Sequence, residues 1–155
     1  SVFEHITNVD FALAEVYRVL RPNGVFFLQI EPFYSSPFGS HLQRLIDEPW
    51  AHLLSDEKSY LQRIKTAKDT VSDSEKDIMY RENDFEQVKN YLIDEYKTLN
   101  KMTINELLTK VLKAGFHILS IETTQVLQLD IPPALLAQYS EYDLLTNEIK
   151  LVISK

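Results

Sequence analysis

The six residues Val25–Ile30, VFFLQI, constrain this chain most. Only Gln29 interrupts their apolar character, so an extended segment here has no polar face. Such a strand wants cover on both sides, which is the signature of a parallel sheet flanked by helices. The expectation is an α/β fold in which VFFLQI has a neighbour strand on each side. Upstream, Val9, Leu13, Val16, Tyr17 and Leu20 recur at helical spacing, with Thr7 and Asn8 as N-cap candidates. RPNG (residues 21–24) ends that helix, because Pro22 fixes φ and Asn23 and Gly24 tolerate positive φ. Downstream, EPFYSSPFG (residues 31–39) is a loop by its prolines, serines and glycine.

Residues 40–100 differ in character. Leu42, Leu45 and Ile46 suggest a helical turn or two, broken at Asp47-Glu48-Pro49. Ser55 is the expected cap of a helix through Leu61 and Ile64, and Asp84 of one carrying Phe85, Val88, Leu92 and Tyr96. Residues 65–79 are charged and weakly apolar and read as mobile. The run 65–83 and the pair Asp94-Glu95 read as solvated surface. No strand fits, so 40–100 reads as a helical insertion and a lid candidate within a single domain, residues 1–155.

The remainder is better signalled. Thr103-Ile104-Asn105-Glu106 is a capping box, flanked by Met102 and Leu107 at staple positions. Leu107, Leu108, Val111 and Leu112 make the buried stripe. Gly115 is placed for a left-handed C-terminal turn, with Phe116 packing back. HILSIETTQ (residues 117–125) follows as a strand, with Ile118, Ser120 and Glu122 alternating against Leu119, Ile121 and Thr123. Pro132-Pro133 opens a helix expected to run through Tyr139. Residues 148–154 form a last strand.

Composition excludes several classes. The chain has 155 residues, no cysteine and a net charge of −7. Disulfides, thiolate metal sites and cysteine nucleophiles are excluded. No basic patch offers a footprint for nucleic acid. The longest apolar run falls far short of the ~20 residues of a membrane helix. With no signal peptide visible, the cytoplasm is the default expectation. The three glycines, Gly24, Gly39 and Gly115, stand far apart, so no glycine-rich phosphate loop is present.

SVFEHI, the helix ending LAEVYRVLRPNG and the strand VFFLQIEP together resemble the middle of class I S-adenosylmethionine-dependent methyltransferases. His5, Leu13, Glu15, Arg18, Leu20, Pro22 and Gly24 match that family's pattern; Asn23 replaces its commoner first glycine. LNKMTINELLTKVLKAGFHILSIET resembles the same family's helix into its sixth strand, and EIKLVISK its antiparallel seventh strand. The resemblance covers residues 1–40 and 99–155. It implies a partial Rossmann-like methyltransferase fold, strands five to seven in the order 5-7-6, plus the helical insertion. It also implies that the glycine-rich loop and the ribose-binding acid belong upstream of Ser1, with strands one to three and most of the fourth. The expectation is then the C-terminal portion of such an enzyme, inactive by itself, with a small-molecule or sugar-like acceptor.

In open α/β sheets, ligands sit beyond the carboxyl ends of the strands. The resemblance places Val2, Phe3, Glu4 and His5, at the tail of the fourth strand, on the S-adenosylmethionine side. Pro32, Phe33 and Tyr34 follow the fifth strand, where an acceptor would bind, with His41, Trp50 and His52 of the insertion above them. His5 and Glu31 are the candidate catalytic groups, each as a base or a positioning donor. For each the plainer reading stands beside it: His5 as a packed, satisfied histidine, Glu31 as a solvated strand end. The aromatics can equally be core. The spacing of His41 and His52 matches no metal motif, and no metal set is assigned. A non-catalytic α/β interaction module with the same helix–strand pattern is the alternative. Without the fourth strand, the edge of Val25–Ile30 would be bare and prone to self-association.

Overall fold

A computed structural model of the chain describes residues 2–68 and 84–155. Most of the charged stretch from 65 to 83 therefore lies outside the described residues. The amino-terminal stretch is not the strand tail expected from the sequence: Phe3–His5 form a single 3₁₀ turn. The side-chain amide of Asn100 fixes it, donating to the Phe3 carbonyl at 2.8 Å and the Ile6 carbonyl at 3.1 Å.

Helix α1 (Val9–Val19) is capped by Asn8, whose Oδ1 accepts from the Phe11 amide at 3.0 Å. Its buried residues are Val9 and Leu13. Asn23 takes the left-handed conformation, φ 60°, that turns the chain into β1 (Val25–Ile30). Lys155 seals the same corner, donating to the Tyr17 and Leu20 carbonyls at 2.7 and 3.0 Å. A cation satisfying the last carbonyls of a helix also complements its dipole.

In the insertion, the Leu42–Ile46 stretch makes one turn closed on the Leu42 carbonyl. Helix α2 (Ala51–Leu54) and helix α3 (Glu57–Thr66) follow, then α4 (Phe85–Thr98). Asp56, not Ser55, caps α3: its carboxylate accepts from the Ser59 amide at 2.9 Å. Asp84 and Gln87 form a capping box on α4. Leu42, Tyr60, Ile64, Ile93, Tyr96 and Leu99 give the insertion a core of its own.

Helix α5 (Ile104–Lys113) has the expected Thr103–Glu106 capping box. Met102 and Leu107 are both buried in the main core. Gly115 sits at φ +93°, and Phe116 packs edge-on against Tyr17 at 5.1 Å. Strand β2 (His117–Gln125) comes next. The helix expected from Pro132 to Tyr139 is shorter, α6 (Pro133–Leu136), and a separate turn, α7 (Glu141–Leu145), precedes β3 (Thr146–Ser154). Ser140 makes that break, its hydroxyl accepting from the Asp143 amide at 3.0 Å.

The three strands form one sheet in the order β1-β3-β2. Both outer strands run antiparallel to β3. The apolar run of β1 thus pairs antiparallel with β3, as the likeness of EIKLVISK to an antiparallel seventh strand implied, and β1 and β2 are parallel to each other only across β3. Leu28, Ile30, Ile149, Leu151 and Ile153 pack under α1 and α5 with Leu13, Leu107 and Val111. The other sheet face is open among the described residues. Val25 and Phe27 are 55% and 54% exposed there, so VFFLQI is covered on one face only. The simple alternation expected for β2 also fails. A bulge between Ile118 and Ser120 shifts the register, so Ile118 and Ile121 oppose Ile153 and Leu151 on the same face.

Candidate functional site

A cleft of about 560 Å³ opens beyond the carboxyl end of β1. Glu31, Pro32, Phe38, His41, Arg44 and Asn147 are among the residues that line it. Glu31 is exposed at the strand end, and its carboxylate accepts from the Asn147 side chain at 3.3 Å. The Asn147 carbonyl accepts from the Phe33 amide at 3.0 Å. The start of β3 thereby fixes the loop after β1, and Asn147 is a site residue with no motif around it.

At His41 the cleft lining meets a second, distant segment, the amino-terminal turn. Glu4 is buried in the 3₁₀ turn, and His5 beside it is half-buried. The His5 ring stands edge-on to that of His41, with centroids 5.4 Å apart. Glu4, His5 and His41 bring ligand atoms within 4.8 Å of one another. His41 occupies φ 62°, an uncommon conformation for a residue with a side chain. Burial holds its pKa below the ordinary histidine value; Glu4 and the Pro32 carbonyl oppose that shift, and His5 adds to it.

The hydrogen bonds fix the tautomers. Thr98 Oγ1 donates to the Glu95 carbonyl at 2.8 Å, so toward His5 it acts as an acceptor. His5 Nδ1, 3.3 Å away, is then the N–H, and it also faces the Glu95 carboxylate at 3.6 Å. His5 Nε2, the second ring nitrogen, lies 4.0 Å from Glu4 Oε1. Proline has no amide hydrogen, so the Pro32 backbone group bonded to His41 is its carbonyl. His41 Nε2 is buried with no partner, so the nitrogen donating to Pro32 is Nδ1. Glu95, expected in water, is instead a partner of His5.

Other expected site residues do not line the cleft. Phe33 is 2% exposed and belongs to the main core. Trp50 is buried against Leu135 and Leu144, its indole N–H donating to the Leu144 carbonyl at 3.2 Å. His52 is buried and donates from Nε2 to the Tyr34 carbonyl at 2.6 Å. Burial lowers its pKa to about 4, with Lys101 and His41 adding to the effect against that hydrogen bond. The Tyr34 hydroxyl lies 3.3 Å from that of Tyr96, and burial raises its pKa far above the ordinary phenol. Phe3 is core, and Val2 is 73% exposed. Of the acceptor-side set, Pro32 and His41 line the cleft; Phe33, Trp50 and His52 are buried and do not. The apolar volume of the two aromatic rings was better used in packing than in lining an open surface.

Among the described residues, no helix is long and apolar enough to cross a membrane. No curated protein matches the chain. Residues 1–28, from the 3₁₀ turn through α1 into β1, match the family model of a methyltransferase domain, which supports a methyl-transfer function in general terms.

Proposed function

We propose that this chain is the acceptor-side, C-terminal portion of a class I S-adenosylmethionine-dependent methyltransferase. The observation that carries the reading is the methyltransferase-domain match over residues 1–28, whose strand opens directly onto the cleft. In this reading β1, β2 and β3 are strands five, six and seven of a larger sheet, and the order β1-β3-β2 supports it.

The bound cofactor supplies an activated methyl group, leaving proximity, orientation and at most one proton transfer to the protein. The residues present do not complete a site for it. Val2 to His5 form one rim, and the chain's three glycines lie in separate turns, none of them a glycine-rich loop. No step is therefore assigned to the cofactor here. The acceptor, a small or sugar-like molecule, sits in the cleft against Pro32 and His41. Glu31 and His5 are the groups able to orient or deprotonate it.

Calorimetric titration with S-adenosylmethionine and with S-adenosylhomocysteine tests the reading. No binding in the micromolar range is expected for residues 1–155 alone. Binding should appear when the same residues are expressed with the coding segment upstream of Ser1. Micromolar binding by the chain alone would overturn the fragment reading; no binding by the extended protein would overturn the methyltransferase reading.

A further inference from the structure

We infer that Glu4, His5 and His41 form a binding site for a first-row divalent transition-metal ion of the Zn(II) type, with His41 on the cleft wall. The inference stands on geometry and does not depend on the methyl-transfer reading.

Two imidazoles and a carboxylate converge. His5 uses Nδ1–H on Thr98 and Glu95, which leaves its Nε2 4.0 Å from Glu4 Oε1. His41 bonds the Pro32 carbonyl through Nδ1–H, so its buried Nε2 is a bare acceptor without a partner. His41 Nε2 is an orphaned buried acceptor, which is costly to leave unmet. A cation removes that cost at His41, with His5 and the Glu4 carboxylate beside it.

The donor set selects the kind of cation. Two neutral imidazoles and one carboxylate suit Zn(II) or another first-row divalent ion, whereas Mg²⁺ and Ca²⁺ prefer all-oxygen shells. Bonds of about 2.0–2.2 Å set tetrahedral donors roughly 3.3–3.6 Å apart. The three donor atoms lie within 4.8 Å, so a contraction of about 1 Å closes the site, within rotamer adjustment of half-buried side chains. The outer shell is already in place. Histidine ligands commonly give their second nitrogen to a carboxylate or carbonyl, which is what Glu95 and Pro32 supply. Three protein ligands leave a coordination position open, and His41 lines the cleft, so that position faces whatever binds there. With His5 Nε2 committed to the ion, Glu31 is the remaining candidate base.

The test is titration of untagged, chelator-treated protein with Zn(II) by calorimetry and with Co(II) by visible absorption. One ion per chain is expected, with the intense d–d bands of low-coordinate Co(II), and excess Mg²⁺ should not displace Zn(II). His41→Gln and Glu4→Gln should each weaken Zn(II) binding at least about tenfold, while His117→Gln, on the exposed start of β2, leaves it unchanged. Absence of saturable binding, or binding as tight in His41→Gln as in the parent, overturns the proposal. Should His41→Gln fail to fold by circular dichroism, Glu95→Gln decides: about tenfold weaker binding supports the site, and unchanged affinity overturns it.

Discussion

His52 is neutral in the folded chain, because its surroundings leave no room for a charge. The Tyr34 carbonyl takes its one N–H, and burial lowers its pKa to about 4. In the unfolded chain it titrates near the ordinary value of about 6.5. Between these limits the unfolded state binds more protons, so stability is full above about pH 6.5 and falls as pH drops toward 4. The loss attributable to His52 is on the order of 3 kcal/mol. Urea titrations at pH 7 and pH 4.5 should show it, and His52→Gln should shrink the difference between them. Trp50 is a second residue whose setting fixes its role. Buried with a satisfied N–H, it should cost about 3–5 kcal/mol when changed to alanine, read as a lower urea midpoint at unchanged slope. Both residues are conspicuous in the sequence as site candidates, and their burial is not, because what encloses them comes from α7 and the loop after β1. The converse holds for Asn147 and Glu95. Each is an ordinary polar residue in its own segment, and only the tertiary approach of β3 and α4 gives it a partner.

Elements were legible where their signals are local. The Thr103–Glu106 box, the Asp84 cap and the Gly115 turn each lie within a few residues, and each forms as the sequence indicates. Thr103→Ala should cost about 1 kcal/mol, measured by denaturant unfolding, because the Thr103 hydroxyl serves the Glu106 amide. Gly115→Ala should cost on the order of 1–2 kcal/mol through its left-handed backbone, with the Tyr17 ring already 3.2 Å from where the added carbon would sit. Failure is equally local in cause. Ser55 and Asp56 are adjacent residues of the cap type, and nothing before the helix decides between them. The bulge in β2 inserts one residue into an alternating pattern, and only pairing with β3 reveals it. The apolar run of β1 truly asks for two covered faces. Among the described residues α1 and α5 cover only one, and Val25 and Phe27 remain outside.

At the scale of the molecule, β1 combines that uncovered face with an outer edge that no strand among the described residues pairs. An apolar strand with a free edge invites pairing with another chain. Light scattering of residues 1–155 should show association that grows with concentration, and Phe27→Lys should reduce it. A monomer at every concentration would mean that the edge is protected some other way. The layered α/β character and the helical nature of 40–100 could be read from periodicity, since both are averages over many residues. The docking of that insertion could not. It closes on the amino-terminal turn through Asn100, Glu95 and Thr98, each about ninety residues or more away along the chain.

The position of β3 in the sheet bears on the order of events as the protein is made. Among the described residues β1 and β2 do not pair with each other, and each pairs with β3, the last of the three in the sequence. A nascent chain therefore leaves the ribosome with two single strands waiting and their apolar faces unshielded, however early α1 and α5 form. This three-stranded sheet can be completed only when residues 146–154 emerge. Until that moment the apolar residues of β1 and β2 stay open to mispairing with other chains.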